Sequence, residues 1–310
     1  MKKISIVVPI FNEVELIDSF IEKVKNLGIN HEIIFSCDPS NDGSEKKLED
    51  HSNNSSGSIK TLVMSRRFGQ HPAIFAGLEN SSGDAVIVMD IDGQDPVELI
   101  PEMIQKWEEG YEVVYGKRTS RSGENFIKKL VSKIGLKMIS RFSKINIPKD
   151  VGEFRLMDRK VVDIINSFNE TNPFLRGIVS YVGFNQTSIN FDRPKRASGK
   201  SKYNEFTGSL SFGIKGFVSF SNSLLYASTY FGIFVSFIAF LIGIIYAYFK
   251  VKGIVNFPIG NPTIVILVLF MGGVQLFSIG ILGIYIGQIF EQVKNRPPFV
   301  VDKYFGKFWF

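Results

Sequence analysis

Residues 85–98 read AVIVMDIDGQDPVE: an apolar, β-branched run that ends on an acid, with a second acid two positions on and then Gly and Pro. Such a run is the pattern of a strand buried on both faces of a parallel sheet, and the Gly and Pro mark the turn that follows it. Two earlier stretches repeat the type, ISIVVPI at 4–10 and EIIFSC at 32–37. Between these runs lie helical patterns. Residues 13–27 place Leu16, Ile17, Phe20, Ile21 and Val24 at helical spacing, and 70–80 follow a Gly. Strand alternating with helix predicts an α/β, doubly wound, mostly parallel sheet whose ligands bind beyond the carboxyl ends of the strands. Polar clusters occupy those ends: Asn12-Glu13 after the first strand, Asp38 to Ser44 after the second and Asp90 to Glu98 after the later one. They point to one site.

Composition says that part of the chain is not in water. Hydrophobic residues make up 45% of the 310 residues against 21% charged, which excludes a disordered polyelectrolyte. From Gly216 to Phe249, and again from Gly253 to Phe290, there is no Asp, Glu, Lys or Arg. A bilayer core about 30 Å thick needs about 20 helical residues, so each run holds one spanning helix, placed near 224–249 and 263–290. Cations flank the pair on its outer sides, Lys195, Arg196, Lys200, Lys202 and Lys215 before it and Lys294, Arg296, Lys303 and Lys307 after it, against Lys250 and Lys252 between. That bias predicts an inner-membrane, multi-pass protein with both termini in the cytoplasm and the VNFPIGNP turn on the far side. The apolar run after Lys2-Lys3 is too short for an export signal. Three parts follow: a cytoplasmic domain over 1–215, a two-helix hairpin over 216–290 and a cytoplasmic tail over 291–310. The single Cys37 excludes an intrachain disulfide scaffold.

The net charge of +6 fits nucleic acid, anionic lipid or a phosphorylated substrate equally well until it is located. The basic residues gather beside the apolar runs rather than on an aromatic-bearing groove, so membrane lipids and a lipid phosphate are expected and nucleic acid is not. Residues 125–147 alternate apolar residues with Lys128, Lys129, Lys133, Lys137 and Arg141, a pattern that suits a helix lying at the membrane surface or one packed on the sheet.

Asp90 and Asp92, one residue apart at a strand end, can bracket a hard divalent cation, Mg²⁺ or Mn²⁺, that also takes phosphate oxygens; a solvated acidic turn has the same spacing. The other clusters decide between them. Val8-Pro9-Ile10-Phe11-Asn12-Glu13 is similar to the opening V-P-x-Y/F-N-E of the family 2 glycosyltransferases of GT-A fold. Asp38 to Ser44 resembles their D-D-G-S-x-D-G-T, and Arg66 to Ala73 their R-N-F-G-K-E-A-A. Asp90 to Glu98 resembles D-A-D-L-Q-D-P-P-E, Tyr115 to Arg121 V-Y-G-x-R-x-x-R, and Gly152 to Arg159 G-D-F-R-L-M-D-R. With two C-terminal spans, the chain resembles the polyisoprenyl-phosphate branch, the relatives of dolichyl-phosphate mannose synthase and bactoprenol glucosyltransferases. Cys37, Pro39, Arg67, Gly93 and Glu153 depart from the pattern. The first two fall at the base pocket and bear on nucleotide preference.

The resemblance implies a Rossmann-like GT-A domain and an inverting, metal-dependent transfer of one sugar from a nucleotide-sugar to undecaprenyl or another polyprenyl phosphate. UDP-glucose stands first as donor, with UDP-N-acetylglucosamine and GDP-mannose behind it. Pro9, Asn12, Glu13 and Asp38 are then expected at the base and ribose, and Asp90 and Asp92 on the metal and diphosphate. Gln94 is expected on the metal or a sugar hydroxyl, and Glu153 on a hydroxyl or as a base. Arg118, Arg121, Arg155, Arg196 and Lys200 are expected to hold the acceptor phosphate, since guanidinium suits bidentate contact. Gly199 suggests a loop that closes over the donor. A processive polysaccharide synthase is a rival, opposed by two spans and no Q-x-x-R-W motif; a silent nucleotide-sugar binder is another, opposed by the intact Asp90 and Asp92. Two spans per chain leave room for a homo-oligomer.

Overall fold

The computed structural model describes residues 2–119, 148, 151–171, 173–194, 223–253 and 262–308. The strands are β1 (Ile4–Ile10), β2 (His31–Cys37), β3 (Ile59–Met64), β4 (Ala85–Val88), β5 (Val113–Arg118), β6 (Val151–Asp158), β7 (Gln186–Phe191) and β8 (Val301–Phe305). The helices are α1 (Ile17–Lys25), α2 (Ser44–Asn54), α3 (Gln70–Glu79), α4 (Ile100–Glu108), α5 (Arg159–Asn166), α6 (Leu175–Val182), α7 (Ser223–Val251) and α8 (Pro262–Val293). One sheet runs β7-β5-β6-β4-β1-β2-β3-β8. Strands β3, β2, β1 and β4 are parallel, β6 is antiparallel to both β4 and β5, β7 is parallel to β5, and β8 is antiparallel to β3. This is the GT-A-like, mostly parallel arrangement that the resemblance implies.

Alternation along the strands splits the core into two layers. Ile6, Val8, Phe35, Ile87 and Phe154 pack with Ile17, Phe20 and Val24 of α1 and Met103 and Trp107 of α4. Val7, Ile34, Leu62, Val86, Val88 and Met157 pack on the other side with α3, α5 and α6. Gly77 of α3 lies so close to β1 that a Cβ there would stand 2.3 Å from Val7 Cγ1.

Helix α1 begins later than the sequence period predicts, because residues 12–14 are held in a loop. Asn12 takes a positive φ of 52°, and the N–H groups of Asn12, Glu13 and Val14 donate to Ser40 Oγ, Ser44 Oγ and Asp42 Oδ2. Strand β3 carries Lys60 in a buried position, and Glu32 of β2 neutralises it at 3.0 Å. Residues 291–310 are expected as a separate tail, but Val301–Phe305 closes the sheet as its edge strand beside β3.

Helices α7 and α8 are long and apolar enough to cross a bilayer, over Leu225–Ile245 and Leu267–Val293. The amphipathic stretch 125–147 and the turn between the two helices lie outside the described residues.

Candidate active site

The loops after β1, β2, β3 and β4 meet at the carboxyl edge of the sheet. Asp38 is buried there, and its two oxygens accept the Phe68 N–H at 3.1 Å and the Gly69 N–H at 2.8 Å. It therefore ties the loop after β2 to the one that opens α3. Asn12 Oδ1 accepts the Asn41 N–H at 2.8 Å, and the Arg67 guanidinium lies 3.9 Å over the Phe11 ring. Pro9, half-buried near the end of β1, faces Ser36 across the pair. Pro9, Asn12, Glu13 and Asp38 are thus brought into one loop cluster. Cys37, at the first departure from the family pattern, is buried, and burial pushes its thiol up to about 12.

Asp90 leaves β4 with its backbone N–H donating to Asp95 Oδ2 at 3.0 Å, while Gln70 Nε2 donates to Asp90 Oδ1 at 2.7 Å. Asp92 and Asp95 are both buried, and the Gln94 N–H closes a tight turn onto Asp92 Oδ1 at 3.0 Å. Gly93 allows that turn with a φ of 77°, in the region that favours glycine. Burial, then the charges of Asp95, Asp92 and Glu153, hold the Asp90 carboxyl far above the usual carboxylate range, against the Gln70 amide. Burial also raises Asp95. Carboxylates crowded in this way favour a cation. A divalent metal fits them: Asp90 and Asp92 would supply two hard oxygen ligands and a diphosphate would complete the set. Among the described residues no three His, Cys, Asp or Glu side chains gather in ligating geometry.

Glu153 stands on β6 at the same edge. It is buried, its Oε1 accepts Arg176 Nε at 2.6 Å, and its Oε2 lies 3.6 Å from Arg155 Nη2. Burial would raise its carboxyl, but the charges of Arg176 and Arg155 carry it down to about 2. A group so acidic is a poor proton acceptor near neutral pH, so the geometry favours Glu153 as a hydrogen-bond acceptor over a base. His71 lies in the same neighbourhood, its ring 6.3 Å from that of Phe174, and burial lowers its pKa.

The cations divide. Arg118 ends β5, its guanidinium folded against Gly152, where a Cβ would stand 2.6 Å from Nη2. Its Nε is buried without a hydrogen-bond partner among the described residues. Burial lowers Arg118, as does Arg193 close by, and Asp95 opposes them. Arg155 is elsewhere: it lies inside the protein, donating to the Gly152 carbonyl at 2.7 Å and paired with Glu153. The sequence expects it on an acceptor phosphate, whereas its place in the interior supports Glu153 instead. Arg121, Arg196, Lys200 and Gly199 lie outside the described residues. Sequence reading does not single out Gln70, Asp95 or Arg176, although Gln70 and Asp95 sit within quoted motifs.

Gly152→Ala gives a test of the Arg118 placement. The clash is with the far end of a flexible side chain, so the fold is retained while the guanidinium moves. Transfer at sub-saturating acceptor is expected to fall roughly 10- to 100-fold, with the unfolding temperature nearly unchanged, in acceptor-titration kinetics and a melting scan on the same preparation.

The model of the family described as Glycosyl transferase family 2 matches residues 5–165. An uncharacterized glycosyltransferase of Bacillus subtilis (strain 168) is 41% identical over 306 residues, 97% of this chain and 94% of that one. The bactoprenol glucosyl transferase of Shigella phage SfII is 40% identical over 307 residues, 97% of this chain and 98% of that one. Among solved structures, the glucosyl-3-phosphoglycerate synthase of Mycobacterium tuberculosis, in complex with Mn²⁺, UDP-glucose and phosphoglyceric acid, is similar at 17% identity and a TM-score of 0.47. That match covers 70% of this chain and 79% of the synthase. By the family match over more than half its length and by relatives aligned nearly end to end, the chain is a glycosyltransferase and belongs to glycosyl transferase family 2.

Proposed function

We propose that this glycosyltransferase moves a single sugar, glucose from UDP-glucose first among candidates, to undecaprenyl phosphate or a close polyprenyl phosphate at the cytoplasmic face of the inner membrane. The observation that carries the reading is the juxtaposition of a crowded acidic cluster, Asp90, Asp92 and Asp95, with Arg118 on one chain that also bears two apolar helices. The relatives named for bactoprenol glucosyl transfer support the acceptor.

The reaction is a single displacement. An acceptor phosphate oxygen forms a bond to the anomeric carbon from the face opposite the diphosphate. The anomeric C–O bond to the diphosphate breaks, and its electron pair leaves with the nucleoside diphosphate, inverting the centre. A lipid phosphate whose second ionisation lies near pH ~6 is largely dianionic at neutral pH and needs no strong base. That agrees with a Glu153 held ionised by two arginines, which can orient a sugar hydroxyl through Oε2. A Mg²⁺ or Mn²⁺ held by Asp90 and Asp92 would supply charge neutralisation for the departing diphosphate. Asp95 fixes the backbone at Asp90, and Gln70 fixes one of its oxygens. Arg118, with Arg193 beside it, offers the positive charge that lets an anionic acceptor approach an anionic donor.

The spans are expected to place both termini in the cytoplasm. Strand β8 supports this: β7, before the two helices in the chain, and β8, after them, belong to one sheet, so a hairpin that crosses twice returns to the side it left. The product would be a lipid-linked monosaccharide for modifying a surface polymer. The test is the purified full chain in detergent with Mn²⁺, undecaprenyl phosphate and a panel of labelled UDP- and GDP-sugars. One donor is expected to put label in the organic phase, and EDTA to abolish it. Nucleotide binding without organic-phase label from any donor would favour the silent binder.

A further inference from the structure

The cytoplasmic end of α8 is gripped by the loop between α5 and α6. Gln292 uses both ends of its side-chain amide on that loop: its Nε2 donates to the Asn169 carbonyl, and its Oε1 accepts the Thr171 N–H at 3.1 Å. Asn169 Nδ2 donates to Asn295 Oδ1, and Thr171 Oγ1 to the Glu291 carbonyl at 3.4 Å. These partners begin directly after Phe290, the last residue of the uncharged run. The headgroup layer of one leaflet is about 5–7 Å deep, and residues 291–293, the last of α8, rise only about 3 Å along its axis. The loop at 169–171 therefore lies at the level of the lipid headgroups if α8 crosses the membrane.

Five residues further on, Arg176 in the first turn of α6 makes the 2.6 Å bond to Glu153. Five extended residues span at most about 17 Å, so the Cα of Arg176 stands within that distance of the Cα of Thr171. Helix α6 is itself seated in the core through Leu175, Ile178 and Val179, which fixes its first turn against the sheet. Phe168, beside the grip, packs edge-on against Tyr181 of the same helix at 6.0 Å. The grip at 169–171 and the Arg176–Glu153 pair thus stand on one short connection, the first against the end of α8 and the second at the catalytic edge of the sheet.

We propose that Gln292, by holding the backbone of residues 169–171, sets the height of Arg176 and Glu153 above the bilayer, and is a positioning residue for an acceptor whose phosphate sits at the membrane surface. The inference rests on the lipid-phosphate reading above. An embedded acceptor cannot move toward the site, so the site must be held at the acceptor's height; a soluble acceptor has no such requirement.

The test is Gln292→Ala in the full chain, reconstituted in nanodiscs and given either undecaprenyl phosphate or a short water-soluble prenyl phosphate. Turnover of the embedded acceptor is expected to fall about tenfold, with the soluble acceptor and the donor KM within about twofold of wild type. Gln292→Glu, which keeps the accepting oxygen and loses the donor, is expected to lie between. Equal losses with both acceptors, or no loss, would overturn the proposal. Depth is read separately by labelling Glu170→Cys with a fluorophore, the buried Cys37 being shielded, and quenching with a headgroup spin-labelled lipid. Strong quenching that weakens when Gln292→Ala is added supports the grip; no quenching overturns it. A wild-type chain that transfers to neither acceptor would strike the functional reading, while the quenching result still judges the placement of the loop.

Discussion

Asp92→Ala and Asp90→Asn are each expected to reduce sugar transfer on the order of 10³-fold, because the proposed reaction holds its cation on these two carboxylates while Asp95 is engaged with the Asp90 N–H. The stability change is expected to have the opposite sign. Asp90 is crowded by Asp95, Asp92 and Glu153 in a buried setting, so an isosteric amide removes repulsion that the native fold otherwise carries. In metal-free buffer Asp90→Asn should therefore melt at a higher temperature than wild type. Adding Mn²⁺ with UDP should raise the wild-type melting temperature and leave the variant unmoved, since ligand that binds only the folded state stabilises it. Loss of transfer together with a lower melting temperature would instead mean that the cluster is structural.

Glu32→Gln is expected to be the most damaging substitution far from the site. Glu32 lies at the amino edge of the sheet, buried, and accepts Lys3 Nζ at 2.8 Å, Ser5 Oγ at 2.6 Å and the Ser82 N–H at 2.8 Å, with the buried Lys60 Nζ at 3.0 Å. The amide would leave Lys60 charged in the interior without its counter-charge, a loss of about 3–5 kcal/mol. For a domain of this size that is roughly 10 °C in melting temperature. Glu32→Gln with Lys60→Met should recover much of it, because an apolar pair removes the stranded charge. Burial would raise the Glu32 carboxyl, but its hydrogen bonds carry it down to about 2, below the unfolded value. Its contribution is therefore full above the unfolded carboxylate pKa and is lost as the pH falls toward 2. Melting scans from pH 6 to pH 3 should show a steeper fall for wild type than for Glu32→Gln. Equal slopes would show that the network does not stabilise the fold.

The parts of this molecule that the sequence makes legible are those with a local rule behind them. Strands β1 and β4 read directly as apolar runs, as does the part of β2 after Glu32, and α7 and α8 as helices whose charge is confined to their ends, because burial disfavours charge. Strand β3 is harder to read: Lys60 and Thr61 break its apolar pattern, and only the pairing with Glu32 of a neighbouring strand makes Lys60 tolerable inside. Strand β8 is invisible for a similar reason, since VDKYF is polar and exposed and owes its place to the open edge of β3. In the site, Asp90, Asp92 and Arg118 stand out by residue type and position. Arg176 does not, because it lies in LRGIVSYV with no motif around it, and its role comes from a 2.6 Å contact across the fold. Arg155 misleads for the complementary reason: a cation inside a family-like motif reads as a phosphate ligand until the fold buries it against Glu153.

The central claim, one sugar placed on one lipid phosphate by this acidic cluster, is tested most directly by mass spectrometry of the organic-phase product. The purified full chain would be given UDP-glucose, undecaprenyl phosphate and Mn²⁺, with Asp92→Ala run alongside. The account predicts a lipid heavier by a single hexosyl residue, released by mild acid and absent with the variant. A lipid carrying a ladder of sugars, or UDP and free glucose with the lipid unchanged, would contradict it.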